Sequence, residues 1–176
     1  MIRQLFAALG IGALLSACAS TPPTIPPVAS VDMPRFMGDW YVIAQIPTYI
    51  ERKAYDSVES YRLDADGTIR TTFRYRNGSA DAPMKTMEPV GRVVPGTNNA
   101  VWEMQFVWPI QAEYVIVDLA PDYSRTIVGR SKRDYVWLMA RTPSLPAPEL
   151  AAAIEKIRTL GYDTSKLRMV PQAAAN

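Results

Sequence analysis

Between residues 39 and 141 this chain alternates apolar and polar residues with a period of two, and that alternation restricts its fold more than any other feature. A period of two sends successive side chains to opposite faces of an extended strand. The clearest run is 68–76, where Ile69, Thr71, Phe73 and Tyr75 point one way and Thr68, Arg70, Thr72, Arg74 and Arg76 the other. One face is then buried and the other wet, as in an antiparallel sheet. Runs at 40–47, 57–63, 85–94, 100–108, 113–119, 126–130 and 135–141 bring the expected strands to eight.

The segments between these runs carry turn chemistry. Asp64-Ala65-Asp66-Gly67, Asn77-Gly78, Pro95-Gly96-Thr97-Asn98-Asn99 and Ala120-Pro121-Asp122-Tyr123 all read as hairpin loops. Eight sequential strands with short links suit an all-β fold, an antiparallel up-and-down β-barrel that leaves no open edge. The longer stretch 47–55 is expected to lie as a lid over one mouth. After the last strand the spacing changes. Pro146-Ala147-Pro148-Glu149 starts a helix, Leu150, Ile154 and Ile157 recur at helical spacing, and Gly161 suits the C-terminal cap. This C-terminal α-helix should lay its apolar stripe on the outer wall, with 166–170 as a short final strand.

Residues 1–17 read as a signal peptide: one positive charge at Arg3, then a short apolar run over 5–15. That run falls short of the about 20 residues needed to span a bilayer. It ends in Leu15-Ser16-Ala17-Cys18, which resembles the lipobox of bacterial lipoproteins, and Cys18 is the single cysteine of the chain. The resemblance implies cleavage before Cys18 and acylation of its sulfur and amine, an anchor of two or more acyl chains, which is what stable membrane attachment takes. Ala19 rather than Asp implies sorting to the outer membrane of a Gram-negative envelope. Residues 18–30, with Pro22-Pro23 and Pro26-Pro27, form a lipidated, semi-extended tether. Residues 31–172 make one domain, and 173–176 a disordered tail.

Charge excludes little and composition excludes more. The chain holds 19 Lys and Arg against 17 Asp and Glu, and loss of Arg3 with the leader leaves 18 against 17. No nucleic-acid footprint is visible. With no His and its only Cys in the lipobox, the chain lacks the parts of a nucleophilic triad, a pocket thiol or a transition-metal site. Glu59, Glu103, Glu113 and Asp118 on strands could pair as acid and base, but their spacing does not demand it. Asp64-Ala65-Asp66-Gly67 lacks the later ligands of a calcium loop and reads as a turn. We therefore expect no enzyme, no cofactor and no metal.

Gly38-Asp39-Trp40 opens the strand region, and Asp134-Tyr135-Val136-Trp137-Leu138-Met139-Ala140-Arg141-Thr142-Pro143 closes it. With eight strands between them and a helix after, these segments resemble the lipocalins, most of all the bacterial outer-membrane lipoproteins of that family and its apolipoprotein D branch. A third family motif is partial, since Pro121-Asp122-Tyr123 keeps Asp-Tyr without the preceding Thr. The resemblance implies that Gly38, Trp40 and Arg141 plug the closed end, the arginine lying across the indole. It also implies that ligand is held inside the barrel, in the calyx. Inward candidates are Tyr61, Phe73, Tyr75, Trp102, Met104, Phe106, Trp108, Tyr114 and Trp137, with most weight on Tyr61 and Trp137, whose counterparts line the pocket in the apolipoprotein D branch. The implied ligands are fatty acids or lysophospholipids. Burial of sixteen methylenes is worth about 13 kcal/mol gross, from which chain ordering and lost translation subtract several kcal/mol.

Two other roles stay open on the sequence. The Arg70, Arg74 and Arg76 stripe could meet anionic lipid headgroups. A lipoprotein that docks a partner protein without any ligand is the alternative class, and a homodimer is compatible with everything above.

Overall fold

The computed structural model describes residues 25–107 and 109–173. The leader, Cys18, most of the tether, Trp108 and the last three residues lie outside the described residues. Ten strands form one antiparallel sheet: β1 (Gly38–Ile46), β2 (Ala54–Leu63), β3 (Ile69–Asn77), β4 (Met84–Met87), β5 (Val90–Val93), β6 (Val101–Val107), β7 (Ile110–Leu119), β8 (Arg125–Gly129), β9 (Val136–Ala140) and β10 (Arg168–Met169). From β1 to β9 each pairs with its neighbour in sequence, apart from a local departure at β4 and β5. Pairing of β1 with β9 closes the sheet into the eight-stranded antiparallel barrel that the alternation predicts.

The expected strand 85–94 is broken in two. Both β4 and β5 pair with β3 and share one place in the wall, with Glu88 and Pro89 between them. Proline cannot donate to a ladder, and the Pro89 carbonyl instead accepts from the Thr71 N–H at 3.1 Å. The extra strand β10 lies on the outer part of β1, pairing Ala44 with Met169.

Burial along the strands records what covers them. On β3 buried and exposed residues alternate, because its outer face meets water. On β1 every residue from Val42 to Ile46 is buried, and β9 is buried throughout. Helix α2 (Ala147–Thr159) is the reason. Its Ala153 and Ile157 pack with Ile43, Ala44, Ile46, Val115, Val117, Ile127 and Leu138 on the outer wall, while Trp40, Val42, Phe73, Trp102 and Met139 belong to a separate core inside. The buried stripe is thus Ala153 and Ile157, with Leu150 and Ile154 at its margin. Gly161 follows the helix with φ +89°, as a left-handed cap requires.

Tyr162, next in the chain, fastens this tail to the barrel. Its hydroxyl accepts from the Arg130 N–H at 2.8 Å and donates to the Arg130 carbonyl at 3.1 Å. Gly129 makes room for it, since a Cβ there would stand 2.4 Å from the hydroxyl.

At the opposite end of the chain a four-residue helix, α1 (Met33–Phe36), sits under the barrel with Asp32 as its N-cap. Hairpin loops 64–68, 94–100 and 120–124 share that lower end. The connections 47–53, 78–83 and 130–135 surround the other, the mouth.

Candidate functional site

Inside, the barrel has two levels. The lower level is filled. Phe36 from α1 stands 5.0 Å from Trp40, 5.8 Å from Tyr61 and 5.3 Å from Trp102, ring centre to ring centre, and Trp102 stacks on Tyr114 at 4.9 Å. Polar tips in this plug find acceptors: the Trp40 indole donates to the Phe36 carbonyl at 2.8 Å and Trp102 to the Asn99 carbonyl at 2.7 Å.

Arg141 seals the plug from beneath. Its guanidinium carbon lies 3.7 Å from the centre of the Trp40 ring, a cation–π arrangement. The same group donates to the carbonyls of Asp39, Arg35, Phe36 and Met37 at 2.7–3.0 Å. Carbonyls at the end of a helix have no partner of their own, so one side chain serves the Arg35, Phe36 and Met37 carbonyls where α1 ends. Gly38, at φ +94°, turns the chain from helix into strand beside Arg141. Asp122 and Tyr123 of the partial motif join this collar: Tyr123 accepts from the Asp32 N–H at 2.8 Å, and Arg35 lies 4.0 Å over its ring.

Above the plug is a cavity of about 170 Å³. Phe73, Met104, Tyr114 and Trp137 line it from the strands, and Thr48, Ile50 and Glu51 from the 47–53 loop, which forms part of its wall as a lid would. Phe106 lines it too but is 48% exposed, at the mouth. Tyr61 and Trp102 are buried in the plug and Tyr75 stacks on Phe73 at 4.8 Å; none of the three lines the cavity. The enclosed volume is close to that of an engineered cavity, roughly 150 Å³, that holds a benzene. A sixteen-carbon chain therefore fits only with much of its length in the mouth or with the loop displaced.

Sequence reasoning missed the acidity of this space. Glu51 is buried, its carboxylate accepting from the Thr48 N–H at 3.1 Å, the Thr48 hydroxyl at 2.5 Å and the Trp137 indole at 2.9 Å. Burial pushes its pKa up, against the lowering effect of those bonds. Glu59 on β2 turns its accessible face into the cavity and accepts from the Tyr61 hydroxyl, which is 2.6 Å from that of Tyr114. Loss of water and then the Glu51 charge push Glu59 up to about 8, and burial with the Glu59 charge holds Tyr114 well above the usual phenol range. Glu51 carried no signal, since a carboxylate in a Pro-, Tyr- and Arg-containing loop looks like surface. Glu59 was visible as an inward position of β2, two residues from Tyr61.

The arginine stripe is engaged on the surface. Arg70 pairs with Asp64 at 2.6 Å, Arg74 with Asp39 at 3.5 Å and Arg76 with Asp56 at 3.0 Å. Asp64 and Asp66 spend their oxygens on Arg62, Arg70 and Thr68, as a turn does. No group of three His, Cys, Asp or Glu that could hold a metal ion occurs among the described residues.

Known proteins share this architecture. Outer membrane lipoprotein Blc of Vibrio cholerae is 28% identical over 162 residues, covering 90% of this chain and 93% of the relative. The Escherichia coli K12 protein of the same name is 27% identical, covering 97% of each. Both names agree with the outer-membrane, lipid-anchored location expected from the leader. Among solved structures, apocrustacyanin C2 superposes with a TM-score of 0.65 at 12% identity, over 88% of this chain and 94% of the other, a likeness of fold alone. Residues 31–172 match the lipocalin-like domain family. A closed barrel, an aromatic base sealed from beneath by an arginine, an interior cavity and these relatives agree, and the chain belongs to the lipocalin-like family.

Proposed function

We propose that this lipocalin is a carrier, not a catalyst, held at the outer membrane by acyl chains on Cys18. In this reading it takes the chain of a fatty acid or lysophospholipid into the upper barrel, for storage, transport or scavenging in the cell envelope. The observation that carries the reading is the cavity of about 170 Å³ above a filled base, walled by Phe73, Met104 and Trp137. A cavity of that size with Phe73, Met104 and Trp137 in its wall gains affinity for an alkyl chain from apolar contact, about 0.8 kcal/mol per buried methylene. Only six or so carbons gain fully, and the rest of the chain lies along the exposed Phe106, Ile50 and Ile110 at the mouth. A module that only docks a partner protein would need no such space.

Trp137 hydrogen-bonds at the cavity wall, so titration with cis-parinaric acid or a lysolipid is expected to quench tryptophan fluorescence saturably. No quenching by any acyl ligand would overturn the carrier reading. Substitution Cys18→Ala is expected to release the protein from membranes and abolish palmitate labelling. Retained label would remove the anchor from the proposal.

A further inference from the structure

The upper cavity carries more hydrogen-bond acceptors than donors. Glu59 receives one bond, from Tyr61 to its Oε2, and no donor among the described residues reaches its Oε1. Thr71, directly across from Tyr61 on β3, is 3% exposed and lines the cavity, yet its hydroxyl has no partner. Buried on neighbouring strands, the Gln45 Oε1 and the Ser57 hydroxyl are also unpartnered. Ser57 lies two residues from Glu59, in the bulge of β2 between Tyr55 and Val58. Buried polar groups in folded proteins are nearly always paired, so a cluster of orphans beside a cavity marks a missing partner. The one cation lining the space among the described residues, Arg130, is bonded through Nη1 to Asp134 at 3.2 Å and lies over Tyr135, and its Nε is the single donor-only group among the unpartnered atoms.

We propose that the floor of the cavity is a subsite for the ammonium head of a long-chain primary amine, held by Glu59 with Thr71 and backed by the Glu51 carboxylate. An ammonium brings three donors and no acceptor, the complement of what lines the floor. A buried carboxylate is costly alone and strong when paired. Above about pH 8, where Glu59 is ionised, an anionic head pushed to the same depth would meet like charge, so a fatty acid there enters tail first. The amine enters head first, its alkyl chain following along Phe73, Met104 and Trp137 toward the mouth.

Binding by this route expels the proton that Glu59 holds at neutral pH. The groups that face Glu59 are Glu51 from the loop, Tyr61 on its own strand and Tyr114 from β7, with Glu113 and Arg130 the other charged lining residues. An alkylammonium keeps its charge throughout pH 6–8. Affinity for the amine therefore rises with pH up to about 8.

This inference rests on the carrier reading, and three twelve-carbon probes separate the two. Dodecylammonium, dodecanol and dodecanoate are titrated calorimetrically into the intact protein, below their micelle concentrations. Dodecylammonium is expected to bind about tenfold or more tightly than dodecanol and to weaken about tenfold from pH 8 to pH 6, with dodecanol unchanged. In Glu59→Gln the preference for amine over alcohol is expected to vanish while the alcohol binds as before. Dodecanoate binding as tightly as the amine, or a preference that survives Glu59→Gln, overturns the ammonium subsite and leaves the carrier standing. A pH-independent amine affinity in the unaltered protein overturns it without relying on any variant. If none of the three probes binds, the carrier reading falls and the subsite with it.

Discussion

The base and the cavity are built from the same kinds of residue, aromatics with polar tips and a few charges, yet they solve opposite problems. In the base the charge is a cation and its partners are backbone carbonyls, so Arg141, Trp40 and Trp102 each end on an acceptor. In the cavity two buried carboxylates stand with one arginine, and the Thr71 hydroxyl and the Arg130 Nε on its lining end on nothing. A region whose polar groups are satisfied internally contributes stability. One that leaves polar groups open gives up stability and keeps affinity in reserve for something brought from outside.

If that contrast is right, damage to the base should be costly and repair of the cavity should be beneficial. The largest effect is expected from Trp40→Ala, which empties the centre of the plug and strips Arg141 of its ring. A loss of about 4 kcal/mol in urea unfolding is expected, and a loss below 1 kcal/mol would mean that the base does not carry the fold.

Glu59 should show the opposite sign. Its folded-state pKa is raised from 4.5 to about 8. Below pH 4.5 it is protonated folded or unfolded and adds no penalty. Between 4.5 and 8 the folded protein keeps a proton that the unfolded chain gives up. Stability therefore falls as pH rises through that window, by up to about 1.4 kcal/mol per unit, and levels off above 8. Glu59→Gln is expected to flatten most of this slope and to gain roughly 3 kcal/mol at pH 8. A residual fall of the same sign remains from Glu51, whose pKa is also raised. A pH series of unfolding curves measures both, and a variant less stable than the parent at pH 8 would break the comparison.

Smaller effects refine it. Arg141→Met keeps apolar bulk under Trp40 but takes the guanidinium donor from the carbonyls of Arg35 and Met37, and about 2 kcal/mol of stability should be lost. The α1 amides should exchange faster in the same variant, which hydrogen exchange reads directly. Thr71→Val replaces an orphaned hydroxyl by a methyl of the same shape. A gain of about 1 kcal/mol is expected in thermal unfolding, where the same exchange at a satisfied hydroxyl would be a loss.

The barrel was legible because a one-sided wet sheet writes its period into the sequence. Ile69, Thr71, Phe73 and Tyr75 show it on β3, and the hairpin loops punctuate it. Where a strand is covered on both faces, as on β1 and β9, the period fades into continuous apolar sequence and the boundaries blur. Pro89 could have announced the break between β4 and β5, since it removes a donor from the ladder. Helix α1 was also readable in principle, from Asp32 as cap and Pro34 in the first turn, but four residues have too little periodicity to stand out. The site was legible only as a list of inward aromatics. Which of them fill and which line depends on how far α1 reaches up the barrel, so that Tyr61 and Trp102 meet Phe36 while Phe73 and Trp137 meet space. Depth along the barrel axis has no counterpart in spacing, and the acidic floor includes a loop residue, Glu51, that only the closed chain brings inside.

Tyr162 grips the backbone of Arg130 from outside the barrel, at a point where Gly129 leaves the wall bare. The side chain of the same Arg130 lines the cavity within. One residue thus carries both duties: its backbone is clasped from outside by the tail that follows the helix, and its side chain faces the space within.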